Sequence, residues 1–104
     1  MKQTPNDIEK MLTTKQDPVI SPGLDKQLRT QRTAFCIIQI MKGHTVDELA
    51  ADLEKEFGIA LEDGRMMKML NLVYADLTKK QAYAVAEKPY VTYMIEDVPM
   101  HLIG

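Results

Sequence analysis

The sequence predicts an α+β domain: a four-stranded antiparallel sheet with two helices on one face. Three observations lead there. Segments 34–41, 65–69, 72–77 and 90–95 are short and mostly apolar, with the β-branched and aromatic residues of strands in the first, third and fourth. Two capping boxes, Thr45-Val46-Asp47-Glu48 and Thr78-Lys79-Lys80-Gln81, open helical patterns between them. The resulting order, β-α-β-β-α-β, has two halves that mirror each other.

The first 32 residues stand outside that order. Thr4-Pro5 offers a hydroxyl N-cap followed by proline at the first helical position, and Ile8, Met11 and Leu12 then make a short apolar face. Asp17-Pro18-Val19-Ile20-Ser21-Pro22-Gly23 breaks structure twice, because each proline fixes φ and lacks an N–H. Residues 24–32 are compatible with helix or coil. Residues 1–32 are therefore read as an adaptable arm, 33–97 as the folded domain and 98–104 as a C-terminal tail.

Within the domain, strand 34–41 is apolar on both sides: Phe35, Ile37 and Met41 alternate with Cys36, Ile38 and Ile40. Lys42-Gly43-His44 turns the chain into the first capping box. Val46, Leu49, Ala50, Leu53 and Phe57 follow at helical spacing, and Gly58 supplies the C-cap. A loop through Glu62-Asp63-Gly64 leads to strand 65–69, and Leu70-Asn71 bends the chain into strand 72–77. The second helix turns Ala82, Val85 and Ala86 inward and stops at Lys88-Pro89. In the last strand Val91, Tyr93 and Ile95 alternate with Tyr90, Thr92 and Met94. This is the ferredoxin-like, split βαβ arrangement.

With 104 residues the chain makes one domain with a modest core. A net charge of −2 and a pI near 5.6 argue against non-specific nucleic-acid binding, which needs a basic face. One cysteine, Cys36, rules out an internal disulfide and any multi-cysteine metal site. No apolar run is long enough to span a membrane. The N-terminal residues lack the apolar core of a secretory signal, so a cytoplasmic location is expected for a free-standing chain.

Nothing reads as catalytic, and neither a metal nor a cofactor is expected. His44 lies in a turn and His101 in the tail, without a shared partner. Cys36 sits mid-strand among apolar neighbours, as a small buried hydrophobe does. Asp47, Glu48, Asp52, Glu54 and Glu56 form a solvated helix face, and Glu62-Asp63-Gly64 is too short for a calcium loop. Lys42-Gly43-His44 is not the Arg-bearing, Gly-rich phosphate loop of an acylphosphatase. The central strands lack the basic and aromatic residues with which an RNA-binding domain stacks bases.

Two helices cover one sheet face, so in an isolated domain the other should be polar. Here strand 34–41 is apolar on both sides, and Met66, Met67 and Met69 crowd the second strand; methionine is over-used at adaptable binding surfaces. Either the arm folds over this face or the face docks on a partner. Met66, Met67, Met69, Tyr74 and Tyr93 are its candidate contact residues.

The segment Leu70-Asn71-Leu72-Val73-Tyr74-Ala75-Asp76-Leu77-Thr78 resembles the "LNGFAAKLT" segment of the propeptides and propeptide-like inhibitors of subtilisin-like serine proteases. Lys88-Pro89-Tyr90-Val91-Thr92-Tyr93-Met94-Ile95-Glu96-Asp97 is similar to that family's "DPxVxYVEED" closing strand, without a gap between the two. Residues 34–43 are similar, more loosely, to its opening "YIVxFK". Residues 1–32 have no counterpart.

The resemblance implies a partner, a subtilisin-like protease on a separate chain or in the rest of a precursor; from the charge and the apolar runs, neither nucleic acid nor membrane is expected. The open face would pack on two protease helices, with Glu96 and Asp97 at their N-termini, where unpaired N–H groups favour carboxylates. Val98, Pro99, Met100, His101, Leu102, Ile103 and Gly104 would run through the active-site cleft as an added strand. Ile103 or Gly104 would fill the pocket next to the catalytic serine, and Met100 or His101 the apolar fourth subsite. The expected function is inhibition, folding assistance, or both. A different expectation rests on the same apolar face without the tail: a regulatory or interaction module that self-associates.

Overall fold

The computed structural model describes residues 13–97. These form three α-helices and one four-stranded antiparallel sheet, with helices α1 Pro22–Thr30, α2 Val46–Phe57 and α3 Lys79–Ala86. The strands are β1 Ala34–Ile40, β2 Met66–Met67, β3 Leu72–Leu77 and β4 Val91–Glu96. Their order across the sheet, β2-β3-β1-β4, is that of a ferredoxin-like fold, as the sequence predicts.

Both capping boxes form. The Thr45 and Thr78 hydroxyls accept from the N–H groups of Glu48 and Gln81, whose side chains return to the cap backbones. Gly58 ends α2 in the left-handed region at φ 70°. Ala34, Cys36, Ile38 and Ile40 of β1 point to the helix side, where they meet Val73, Ala75 and Leu77 of β3 and Val91 and Met94 of β4. Val46, Leu49 and Leu53 from α2 and Ala82 and Val85 from α3 close this core.

Three elements differ from the sequence reading. The first is residues 22–30, which form a helix belonging to the core. Ser21 caps α1 by accepting from Leu24 N–H, Pro22 starts it, and Leu24 and Leu28, one turn apart, are buried among the sheet and helix side chains. Tyr83 of α3 donates to Asp25 at 2.7 Å, so α1 lies beside α3 on the already covered face. Ahead of it, residues 16–21 run along the outer edge of β4: Gln16 N–H and Ser21 N–H donate to Thr92 O and Met94 O, and Met94 N–H donates to Val19 O. Residues 13–32 thus cover an edge and the helix side, and do not fold across the open face. The expected short helix around Ile8, Met11 and Leu12 lies outside the described residues.

The second difference is β2, which is cut to two residues. A 3-10 turn at Asp63–Arg65 precedes it and another at Lys68–Leu70 follows, and Asn71 reverses the chain at φ 54°. The third is β4, which does not alternate cleanly. Gln39 pairs with Tyr93 but Ile40 with Val91, so Thr92 is the extra residue of a bulge. The bulge lets Val91 and Met94, three apart, both face the core, while the buried Thr92 hydroxyl donates to Gln39 O.

Candidate docking surface

The helix-free face is laid out in rows across β3, β1 and β4. Leu72, Gln39 and Tyr93 form one row and Tyr74, Ile37 and Ile95 the next; Asp76 and Phe35 continue toward the end where the chain leaves the sheet. The first two rows are half-buried and enclose a shallow concavity of about 320 Å³. Its one amide side chain is committed to the fold. Gln39 Nε2 donates to the carbonyls of Ile40, Leu70 and Asn71, each at 3.2 Å. Phe35 and Tyr74 pack edge to face with centroids 6.0 Å apart, and the Arg65 guanidinium lies 4.7 Å over the Phe35 ring.

At the far corner, three apolar side chains project into solvent: Met67 is 43% exposed, Leu70 57% and Met69 99%. The backbone beneath them is held. Besides the Gln39 bonds to Leu70 and Asn71, Asn71 Nδ2 donates to His44 O at 3.2 Å and Met41 O at 3.5 Å. The corner is therefore a fixed apolar projection that continues the face through the Met67–Leu72 pair.

The residues expected at this surface divide. Tyr74 and Tyr93 lie on the face, Met67 at its rim and Met69 at the tip of the corner. Met66 does not belong there: it pairs with Val73, whose side chain points to the helix side, and it packs against the core. Strand alternation is the reason, because the consecutive Met66 and Met67 must face opposite ways. Ile37, Leu72 and Ile95, the apolar centre of the face, are not among the contact residues expected from the sequence. Their signal was present in strand parity, since Ile37 lies opposite the inward Cys36 and Ile38, and Ile95 shares the parity of Tyr93.

Glu96 and Asp97 end the sheet differently. Glu96 pairs with Cys36 on the helix side, and its Oε1 accepts from the Ser21 hydroxyl at 3.3 Å. Asp97 is exposed, and its N–H donates to Phe35 O at 3.2 Å. Pro99, Met100, His101, Leu102, Ile103 and Gly104 lie outside the described residues.

A second polar cluster sits on the helix side, where sequence reading expected only a solvated acidic face. Lys88 Nζ reaches Glu56 at 2.5 Å and Asp52 at 3.5 Å, and the Tyr90 hydroxyl donates to Asp52. The His44 ring stacks on Tyr90 with centroids 5.6 Å apart, 3.2 Å from Glu48 through Nδ1. The Tyr90 hydrogen bond, aided by Lys88, holds the Asp52 carboxyl below its ordinary range. Burial, then the Asp52 carboxylate, pushes the Tyr90 hydroxyl well above its ordinary value. This cluster joins α2 to the α3–β4 turn. Cys36 is buried, and desolvation, with a contribution from Asp76, pushes its thiol up to about 12.

Among the described residues no group of three His, Cys, Asp or Glu side chains is placed to hold a metal ion, and no helix is long and apolar enough to cross a membrane. Compared with known protein families, with curated proteins and with solved structures, the chain matches none.

Proposed function

We propose that this chain is a non-enzymatic inhibitor, or folding-assisting prodomain, of a subtilisin-like serine protease. One observation carries the reading: the apolar concavity of Ile37, Leu72, Tyr74, Tyr93 and Ile95, which no other element among residues 13–97 covers. A partner surface of two helices would bury these side chains as a domain core does, and association of that kind is driven by apolar area removed from water. The chain leaves β4 at Asp97, one backbone bond from Phe35 on the same sheet, so the tail would start at the edge of the docked face. Tethering would then present Val98 to Gly104 to the cleft at high effective concentration.

The test is inhibition of a panel of subtilisin-like proteases by the intact chain and by a chain ending at Asp97. The expected result is inhibition by the intact chain and a large loss on truncation. No inhibition across the panel would sink the proposal. If sedimentation instead finds a stable dimer that survives truncation and is broken by Ile37→Lys, the face serves self-association.

A further inference from the structure

We infer that Glu96 is a positioning residue: its carboxylate is latched in cis to the first turn of α1, and this latch sets the direction in which the peptide leaves the sheet. The inference rests on the proposed function for its purpose, but the latch itself is visible without it.

Two features mark the latch. The first is the hydrogen bond from the Ser21 hydroxyl to Glu96 Oε1 at 3.3 Å, made by the same oxygen that caps α1 through Leu24 N–H at 3.1 Å. The second is Gly23. A Cβ at that position would lie 1.4 Å from Glu96 Oε2 and 2.5 Å from its Cδ, so the absent side chain is the space the carboxylate occupies. Glycine within a helix is unfavourable relative to alanine, and close approach of another group is a reason to keep it. The carboxylate also lies at the end of α1 where the helix dipole favours negative charge.

The surroundings tie this contact to the departing chain. Ser21 N–H donates to Met94 O at 2.9 Å, and Asp97 N–H donates to Phe35 O at 3.2 Å. Met94 and Glu96 are thus held by the N-cap of α1, and Asp97 by β1. A peptide launched from a fixed root loses less freedom on entering a cleft than one launched from a frayed strand. Glu96 is then engaged within the chain and not at a partner's helices, which leaves the exposed Asp97 as the anchor for the partner.

The full-length chain tests this in two arms. The first needs no protease. Gly23→Ala must displace the Glu96 carboxylate, so it should be less favourable for the melting temperature in the unmodified chain than in a Glu96→Ala background, where the same change should be neutral or stabilising. Glu96→Ala should also speed amide exchange at Asp97 about tenfold or more. A Gly23→Ala effect of the same sign and size in both backgrounds overturns the latch.

The second arm compares inhibition of a responsive protease with binding of the chain truncated after Asp97. Glu96→Ala should weaken inhibition by the full chain roughly tenfold, while truncated-chain binding to the protease, measured by titration calorimetry, stays within about twofold. Glu96→Gln, which keeps an acceptor for Ser21, should restore most of the inhibition. Equal weakening of both chains would make Glu96 a docking or folding residue and overturn the positioning role. If the unmodified chain inhibits no protease, the proposed function fails, and the first arm still decides the latch.

Discussion

Lys15 ties the segment ahead of α1 to the rest of the fold, and removing its charge should cost the protein a measurable fraction of its stability. The Lys15 ammonium donates to three carbonyls: Ala86 O at 2.7 Å, Lys88 O at 2.7 Å and Val91 O at 2.9 Å. Ala86 O ends α3, where orphan carbonyls and the negative end of the dipole both favour a cation. Hydrogen bonds to a charged group contribute roughly 1.5–3 kcal/mol each, but these three share one ammonium. Burial works against the charged form and holds the Lys15 pKa below the ordinary lysine value. Allowing for that, Lys15→Met, which keeps the apolar stem, should lower unfolding free energy by about 2–4 kcal/mol. With a urea slope on the order of 1–1.5 kcal/mol/M for a chain of this size, the midpoint should fall by roughly 1.3–4 M. Lys15→Arg should not rescue, because a planar fork on a longer stem cannot converge on three carbonyls around one point. A Lys15→Met loss below about 0.5 kcal/mol would refute the reasoning, since water would then satisfy those carbonyls equally well.

Three further outcomes are expected. Leu24→Ala should cost about 2–5 kcal/mol in urea melts, because Leu24 is fully buried; a loss under about 1 kcal/mol would return residues 22–30 to the status of an arm. Stability should fall above pH 9, because the Cys36 and Tyr90 pKa values are both raised on folding: the unfolded chain releases these protons first, so the stabilisation present at lower pH is lost as pH rises toward 12. Cys36→Ala should flatten that slope between pH 9 and 11, and an unchanged slope would refute the assignment. Ile37→Lys should change stability by less than about 1 kcal/mol, because Ile37 is only half-buried and lysine can extend its charge into water, yet it should abolish any association made by the open face; intact association in this variant would move the interface elsewhere.

The parts of the fold legible in the sequence are those written in local chemistry. A threonine followed three residues later by Glu48 or Gln81 specifies where a helix begins, and Gly58 where one ends, because the orphan backbone groups at each end have few other partners. Strand parity in β1 likewise made both apolar faces readable. What stayed hidden depends on partners distant in sequence. Leu24 and Leu28 are two apolar residues in a polar stretch, and only the sheet beside them makes that enough for a helix. The three carbonyls that Lys15 meets come from positions 86, 88 and 91. The bulge at Thr92 follows from register against Gln39 and Ile40, which no property of β4 alone encodes. Glu96 illustrates the same limit: its chemistry, a carboxylate suited to a helix N-terminus, was readable, while the helix it meets belongs to its own chain.

The position of α1 bears on the open face. A β-α-β-β-α-β plan is complete without it, so residues 13–32 are additional chain available to cover whatever surface most needs covering. They lie along the outer edge of β4 and beside α3. Covering an edge removes unpaired N–H and C=O groups that would template wrong pairing, and at the opposite edge β2 is only two residues long and flanked by 3-10 turns. Two routes to non-specific association are thereby blunted among the described residues. The apolar rows of Ile37, Leu72, Tyr74, Tyr93 and Ile95 receive no such cover, and the fixed Met67–Met69–Leu70 corner extends them outward. Among the described residues the edges are guarded while the apolar concavity stays open to solvent, so that face is where apolar area remains to be removed from water. On the proposed reading, that contrast between guarded edges and an open face is what a surface for a specific partner requires.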